Sequence, residues 1–146
     1  MVDLRDLVLK YYYSPGTNGS NSIKDILPAI LNSSDYLKDK YSKPIYGNDI
    51  ISLNFTNQIW IDYDESGKVI NPYKRLEPLF EDIDQDLLDT LIIEEDIEIA
   101  DGGAAMTAYA RMQFTQMSDK ERNLLQKSLL RYCELDTFAM VMIYEH

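Results

Sequence analysis

The chain has 146 residues, a formal net charge of −11 at pH 7, one cysteine and one histidine. This length suits one domain or part of a larger one. The net charge argues against nucleic-acid binding by the chain's own surface, because phosphate binding depends on Lys and Arg. One cysteine excludes an internal disulfide, and the lone His146 disfavours His-based metal or triad chemistry. Without a membrane span or a secretory signal, the sequence predicts a cytoplasmic protein that does not contact a membrane.

The first part of the chain is predicted to be helical. Apolar residues recur at helical spacing in "VDLRDLVLKYYY", which favours a first helix over residues 2–11. The loop "SPGTNGSNS" follows, and Ser22 is suited to cap the next helix. Because Pro28 lacks a backbone N–H, we expect that helix to kink or to end early.

The residue composition changes in residues 42–80, which we interpret as an insertion. The segments "ISLNF" and "QIWIDYDESGKVI" carry the β-branched and aromatic residues typical of strands. Since "DESG" has turn chemistry, the sequence predicts a small β-hairpin around Asp64–Gly67. The rest of the insertion is predicted to be irregular.

Helices return in the last third of the chain. We predict a short helix over 84–93 and a solvated acidic connection over 94–101. A helix that begins at Gly102 and Gly103 follows. In this helix Tyr109 is predicted to be packed, and the small residues are predicted to contact the final helix. These glycines also invite comparison with a phosphate-binding loop, but the Lys-Ser/Thr of such a loop is absent. The terminal helix is predicted over 118–145, opened by a Ser118/Glu121 capping box.

The terminal helix places an acid among apolar residues. At about 100° per residue, Asp136 falls within the stripe expected to face the core, whereas Glu134 falls on the opposite, solvated side. The stripe comprises Leu125, Leu129, Tyr132, Ala139 and Ile143. Because a carboxylate there needs a partner, three interpretations stay open. Asp136 is bonded inside the core, or lines a cleft, or meets a cation supplied by another chain.

Tyr132 lies four residues before Asp136, so both side chains project from one side of the helix. A carboxylate is the hard oxygen ligand that Mg²⁺ and Mn²⁺ prefer. A phenol beside a metal-bound carboxylate can orient a water for attack on a phosphate.

These residues carry a family resemblance. The segment "LLRYCELDTFAMVMIYE" resembles the third motif of DEDD-type 3′–5′ exonucleases of the tyrosine subclass, which have an RNase H-like fold. The resemblance implies an α/β parent fold, of which this chain is a mainly helical C-terminal portion. It assigns Tyr132 as the catalytic, water-orienting residue and Asp136 as a catalytic metal ligand for Mg²⁺ or Mn²⁺.

A second resemblance covers nearly the whole chain. The segments "YYYSPG", "NPYKRL", "DGGAAMTAYARMQF" and "RYCELDTFAMVMIYE" resemble the C-terminal part of a bacterial family defined only as a domain of unknown function. The exonuclease pattern also needs an Asp-x-Glu pair on an early strand and a further Asp, which this chain lacks. "DYDES" offers Asp62, Asp64 and Glu65, but in a predicted turn and in the wrong order.

We therefore expect a C-terminal fragment of a longer nuclease that is inactive alone. Its partners would be the missing N-terminal portion and, through the full-length protein, nucleic acid, with the two-ion metal site complete only there. The alternative is a non-catalytic acidic module in which the hairpin insertion and a tyrosine-rich face bind a protein. In that case Asp136 only satisfies hydrogen bonds of the core.

Overall fold

A computed structural model describes residues 4–76 and 102–146 of the chain. Its α-helices are α1 (Leu4–Tyr11), α2 (Ile23–Ser33), α3 (Asp35–Tyr41), α4 (Gly102–Phe114) and α5 (Asp119–Glu145). Short 3₁₀ helices occupy Pro15–Thr17 and Pro72–Arg75. These two described ranges contain no β-strand, so the prediction of a mainly helical chain is confirmed.

The chain divides into two compact units. The first comprises Met1–Arg75 and Glu134–His146, and the second comprises Leu76–Cys133. Helix α5 contributes residues to both units. Each unit is described separately below.

In the first unit, helices α2 and α3 follow one another with a serine at each start. The Ser22 side chain accepts a hydrogen bond from the Lys24 backbone N–H at 3.4 Å, which confirms the predicted cap. Ser34 plays the same part for α3, since its hydroxyl accepts from Leu37 N at 3.3 Å. Helix α1 also forms as predicted, with Val8 buried, although residues 2 and 3 of the predicted helix lie outside the described ranges.

Of the two outcomes expected at Pro28, a kink or an early stop, the early stop is wrong, because α2 continues to Ser33. A proline in a helix leaves the carbonyl four residues earlier without its usual donor. Here that carbonyl belongs to Lys24, and it accepts a hydrogen bond from the side-chain amide of Asn71 at 3.2 Å. A distant segment therefore replaces the bond that Pro28 removes, and the helix can pass through the proline.

The predicted β-hairpin is present as its turn and two backbone hydrogen bonds beside it, from Asp64 N to the Lys68 carbonyl and from Ile70 N to the Asp62 carbonyl, each at 2.8 Å. The Asp64 carboxylate accepts hydrogen bonds from the Ser66 and Lys68 backbone N–H groups, and an antiparallel bridge joins Tyr63 to Val69. The Ser66 hydroxyl also donates to this carboxylate, and this bond, followed by the one from the Lys68 backbone N–H, lowers the pKa of Asp64. This pairing does not extend into longer strands in the described part of the insertion, where other backbone groups bind residues of the helices. The Val69 N–H, for example, donates to the side chain of Asn32 at 2.9 Å.

The core of the first unit joins the insertion to three helices. The insertion contributes Trp60, which is 1% exposed, and its backbone N–H donates to the Tyr41 carbonyl at the end of α3 at 3.0 Å. The other large, fully buried hydrophobic side chains are Leu27, Ile30, Leu31, Leu37, Tyr41, Leu135 and Met142. Residues 42–75 therefore form part of this core and are not an appendage to it.

The C-terminal end of α5 is fastened to α3. Glu145 accepts hydrogen bonds from the Lys40 ammonium group and from the Tyr41 hydroxyl, each at 2.7 Å. Burial, followed by the bond to Glu145, raises the pKa of Tyr41 to about 12. The phenol therefore stays protonated and continues to donate to Glu145 throughout the neutral pH range.

The second unit is built around the contact between α4 and the first part of α5. Buried Ala108 packs with Leu125 and Leu129, which confirms that small residues of α4 lie against the last helix. The capping box is confirmed too, because Ser118 N donates to Glu121 at 2.7 Å and Glu121 N donates back to Ser118. The predicted packing of Tyr109 is wrong, since its side chain is exposed. The predicted helix at 84–93 and connection at 94–101 lie outside the described residues.

Candidate functional site

The two predicted site residues lie on helix α5, with Tyr132 in the second unit and Asp136 in the first. Tyr132 is 7% exposed, as expected for a member of the apolar stripe. Asp136 is half-buried, and therefore does not lie in the middle of the buried face.

The face of α5 that is buried in the first unit is displaced from the predicted stripe. It consists of Leu135, Phe138, Ala139 and Met142, which repeat at the spacing of an amphipathic helix. Asp136 borders this face. Its carboxylate therefore lies where it can be held by the protein and still be reached from outside.

One phenol holds the Asp136 carboxylate. The Tyr73 hydroxyl donates a hydrogen bond to Asp136 Oδ1, with 2.6 Å between the two oxygens. Within residues 4–76 and 102–146, this is the hydrogen bond that Asp136 makes through its side chain, and Oδ2 accepts none. Among the described residues, the carboxylate is thus oriented through one oxygen.

Tyr73 is itself fixed by the segment that precedes it. It is buried within the 3₁₀ helix Pro72–Arg75. Its backbone N–H donates to the Asn71 side-chain oxygen at 3.1 Å, and the Asn71 amide group donates to Lys24 of α2. One asparagine side chain therefore ties the turn that carries Tyr73 to α2, the helix that contains Pro28.

The prediction that Glu134 faces solvent is wrong. The Glu134 carboxylate accepts hydrogen bonds from the hydroxyls of Tyr46 and Ser52 and from the amide of Asn54. The Tyr46 bond measures 2.8 Å and the Asn54 bond 2.5 Å. The helix projection assumed that one side of α5 packs. In the structure, residues 46–54 of the insertion contact the side opposite the predicted stripe.

Both members of the Glu134–Tyr46 pair have shifted pKa values. Burial opposes ionisation of Glu134, but the three side-chain hydrogen bonds outweigh it and hold its pKa below the usual value of 4.5. Burial raises the pKa of Tyr46, and the hydrogen bond to Glu134 raises it further. Glu134 is therefore a structural anion whose two oxygens are both occupied, in contrast to Asp136.

The loop bound to Glu134 presents apolar side chains to solvent. Ser52 and Asn54 point to Glu134, whereas Ile51 and Leu53, which alternate with them, are 88% and 93% exposed. The alternation is visible in "ISLN" and is typical of an extended segment with two unlike faces. It could have suggested that Ser52 and Asn54 have an internal partner.

The described parts of the chain do not contain a complete metal site. Among residues 4–76 and 102–146, no three His, Cys, Asp or Glu side chains form a group that could hold a metal ion. Asp136 could supply a single carboxylate oxygen to such a site. In the same two ranges, no helix is both long enough and apolar enough to cross a bilayer.

Comparison with known proteins adds no relative. No protein-family model, no curated protein and no solved structure matches the chain.

Proposed function

We propose that this chain is the C-terminal part of a metal-dependent 3′–5′ exonuclease of the RNase H-like, DEDD type. In this proposal Asp136 is a ligand of a divalent cation, Mg²⁺ or Mn²⁺, and Tyr132 orients the attacking water. The remaining carboxylates, and the basic surface that an acidic chain lacks, belong to a portion upstream of this sequence.

The state of the Asp136 carboxylate is the observation that supports this proposal. It is half-buried and fixed through one oxygen by Tyr73, and its second oxygen accepts no hydrogen bond from the described residues. Glu134, two residues earlier, uses both of its oxygens in hydrogen bonds to the insertion. Oriented ligands with an available oxygen are what a metal site requires.

The proposed reaction is hydrolysis of the terminal phosphodiester bond. A water oxygen forms a bond to phosphorus, the P–O3′ bond breaks, and the O3′ atom acquires a proton. The products are a nucleoside 5′-monophosphate and a chain shortened by one nucleotide with a new 3′-hydroxyl. Divalent ions supply charge neutralisation for the attacking and leaving oxygens when bound. Tyr132 would hold the water in line with the phosphorus, and Asp136 would help to hold the ion beside it.

The test uses the longest natural polypeptide that contains this chain. Hydrolysis of 5′-labelled single-stranded DNA and RNA is measured from the 3′ end with Mg²⁺ or Mn²⁺. We expect Asp136→Asn to lower the rate by on the order of 10²-fold or more, because it removes a charged ligand from the transition-state electrostatics. Tyr132→Phe should lower the rate by about 10²-fold, the usual contribution of a group that assists proton transfer or water attack.

Asp119→Asn is the matched control, because Asp119 is an exposed aspartate at the start of the same helix. It should leave the rate unchanged. Wild-type hydrolysis by a folded Asp136→Asn variant would end the assignment of Asp136, and a wild-type protein without metal-dependent hydrolysis would end the proposal as a whole.

A second candidate function, a protein-binding module, has its own supporting observation. Ile51 and Leu53 are almost fully exposed on a loop that is fixed by Glu134, and exposed aliphatic side chains on a rigid support are typical of interaction surfaces. In this alternative, Asp136→Asn has no functional effect. The double variant Ile51→Asp/Leu53→Asp would release a partner from the native complex, measured by size-exclusion chromatography.

A further inference from the structure

We propose that Asn18 is a site of covalent modification, at which the chain converts its own asparagine to aspartate and isoaspartate. The chain has eight asparagines, all within the described residues, and Asn18 is the single one that a glycine follows. It lies in the loop that joins α1 to α2, directly after the 3₁₀ helix Pro15–Thr17. The reaction needs only water, so it is independent of the proposed nuclease function.

The reaction begins at the backbone nitrogen of Gly19. Asparagine is one of the chemically labile residues of proteins, because its side-chain carbonyl can be attacked by the next backbone nitrogen. The Gly19 nitrogen gives up its proton and forms a bond to Asn18 Cγ. The bond from Cγ to the side-chain nitrogen breaks, and that nitrogen takes up a proton and leaves as ammonia. Water then opens the resulting succinimide ring, at Cγ to give aspartate or at the backbone carbonyl to give isoaspartate.

The surroundings of Gly19 favour this attack. Glycine has no Cβ beside the attacking nitrogen, so the Asn18 side chain can approach it. Both residues are exposed, so water reaches the reacting groups. Ring closure also requires rotation about the Asn18 Cα–C bond, away from its ψ of 31°. Apart from the chain neighbours of Gly19, no heavy atom of the described residues lies within 4 Å of the place a Cβ would take, which leaves room for this rotation.

Asn57 provides an internal comparison. It is exposed like Asn18, and its backbone has nearly the same left-handed conformation, with a φ of 50° against 49°. The difference lies in the next residue, because Gln58 has a side chain and its backbone N–H donates to the Tyr46 carbonyl at 2.7 Å. Reaction at Asn57 would first have to break this hydrogen bond.

Four of the remaining asparagines are restrained as well. Asn32 and Asn123 lie in α2 and α5, where the next residue also belongs to the helix. Asn71 precedes a proline, which has no N–H. The backbone N–H that follows Asn54 donates to a serine hydroxyl at 2.9 Å. We therefore expect the reaction first at Asn18.

Both products change the loop between α1 and α2. Each replaces a neutral amide with a carboxylate and adds a further negative charge to a chain whose net charge is already −11. Isoaspartate also lengthens the backbone by the side-chain methylene group, next to the hydrogen bond from Ser20 N to the Thr17 carbonyl. The modification therefore alters the connection between the two helices.

The experiment follows the longest natural polypeptide that contains this chain during incubation at mildly alkaline pH. Trypsin cleaves after Lys10 and Lys24, which places Asn18 in a different peptide from Asn57. Tandem mass spectrometry locates the mass gain that accompanies replacement of an amide by a carboxyl group, and electron-based fragmentation distinguishes isoaspartate from aspartate. We expect conversion at Asn18 to be at least about 10-fold faster than at Asn57, with isoaspartate among the products.

Gly19→Ala tests the role of the glycine. It places a methyl group beside the attacking nitrogen and should slow conversion at Asn18 by about 10-fold. Gly67→Ala is the matched control, because Gly67 also has a positive φ and open surroundings among the described residues. It should leave the rate at Asn18 unchanged.

A parallel incubation in guanidinium chloride gives the rate that the unfolded chain allows. If Asn18 reacts in the unfolded chain but stays intact in the folded protein, the loop protects it and the proposal is wrong. Equal rates at Asn18 and Asn57 in the folded protein would also overturn the proposal. Conversion to aspartate without isoaspartate would exclude the attack by the Gly19 nitrogen.

Discussion

The three hydrogen bonds to Glu134 predict a large loss of stability for Glu134→Ala. Hydrogen bonds to a charged group contribute about 1.5–3 kcal/mol each when they are well buried. Glu134 is only half-buried, so solvent screening places each bond at the lower end or below it. The substitution also leaves the hydroxyl of buried Tyr46 without its acceptor, whereas the better helix propensity of alanine returns only a few tenths of a kcal/mol.

From these contributions we expect Glu134→Ala to lower the free energy of unfolding by about 3 kcal/mol. Urea unfolding followed by tryptophan fluorescence is the suitable assay, because Trp60 is the single tryptophan and its ring centroid lies 5.4 Å from that of Tyr46. Glu65→Ala makes the same change of charge in an exposed turn of the same unit and should stay within about 0.5 kcal/mol of wild type. A loss below about 1 kcal/mol for Glu134→Ala would refute the view that this carboxylate anchors the insertion.

Further predictions concern backbone geometry, the asparagine bridge and pH. Gly47→Ala should destabilise by about 3 kcal/mol or more, because φ is 80° and a Cβ would lie 2.2 Å from the Phe55 carbonyl oxygen. Gly67→Ala, at a φ of 77° with open space around the site, should cost only about 1 kcal/mol in the same urea assay. Asn71→Ala should cost about 2 kcal/mol by thermal or urea unfolding, since it removes two hydrogen bonds, and an unchanged midpoint would contradict the bridge. The lowered pKa of Glu134 stabilises the fold above pH 4.5, and this contribution is lost as the pH falls through the folded-state pKa. Glu134→Gln should therefore flatten the acid limb of a stability–pH curve, and an identical limb in wild type and variant would exclude this origin.

Local chemistry was sufficient to predict the helix starts. The caps at Ser22 and Ser118 depend on hydrogen bonds between residues two or three positions apart, so a short stretch of sequence contains all the participants. The turn at Asp64 is local in the same way. These features could be predicted because no other part of the chain is needed to form them.

The prediction of strands failed because strand pairing depends on segments that are distant in the sequence. The β-branched and aromatic residues of the insertion do favour burial, but strand formation needs a partner for each edge. Trp60 and Val69 find their backbone partners on α3 and α2. The composition of the insertion indicated that these side chains would be buried. They do not form a sheet, because the neighbouring segments are the helices α3 and α2.

The sequence by itself determined which acid on the last helix attracts functional interest, because Tyr132 and Asp136 are related by one helical turn and by a motif. Only the tertiary structure decided how the two acids of "CELD" are used. Helical periodicity describes one helix packing on one side, and it contains no information about a segment that arrives from 60 to 90 residues away in sequence. Tyr73 reaches Asp136, and residues 46–54 reach Glu134, through such distant contacts. Within the described residues, those contacts occupy both oxygens of Glu134 and one oxygen of Asp136.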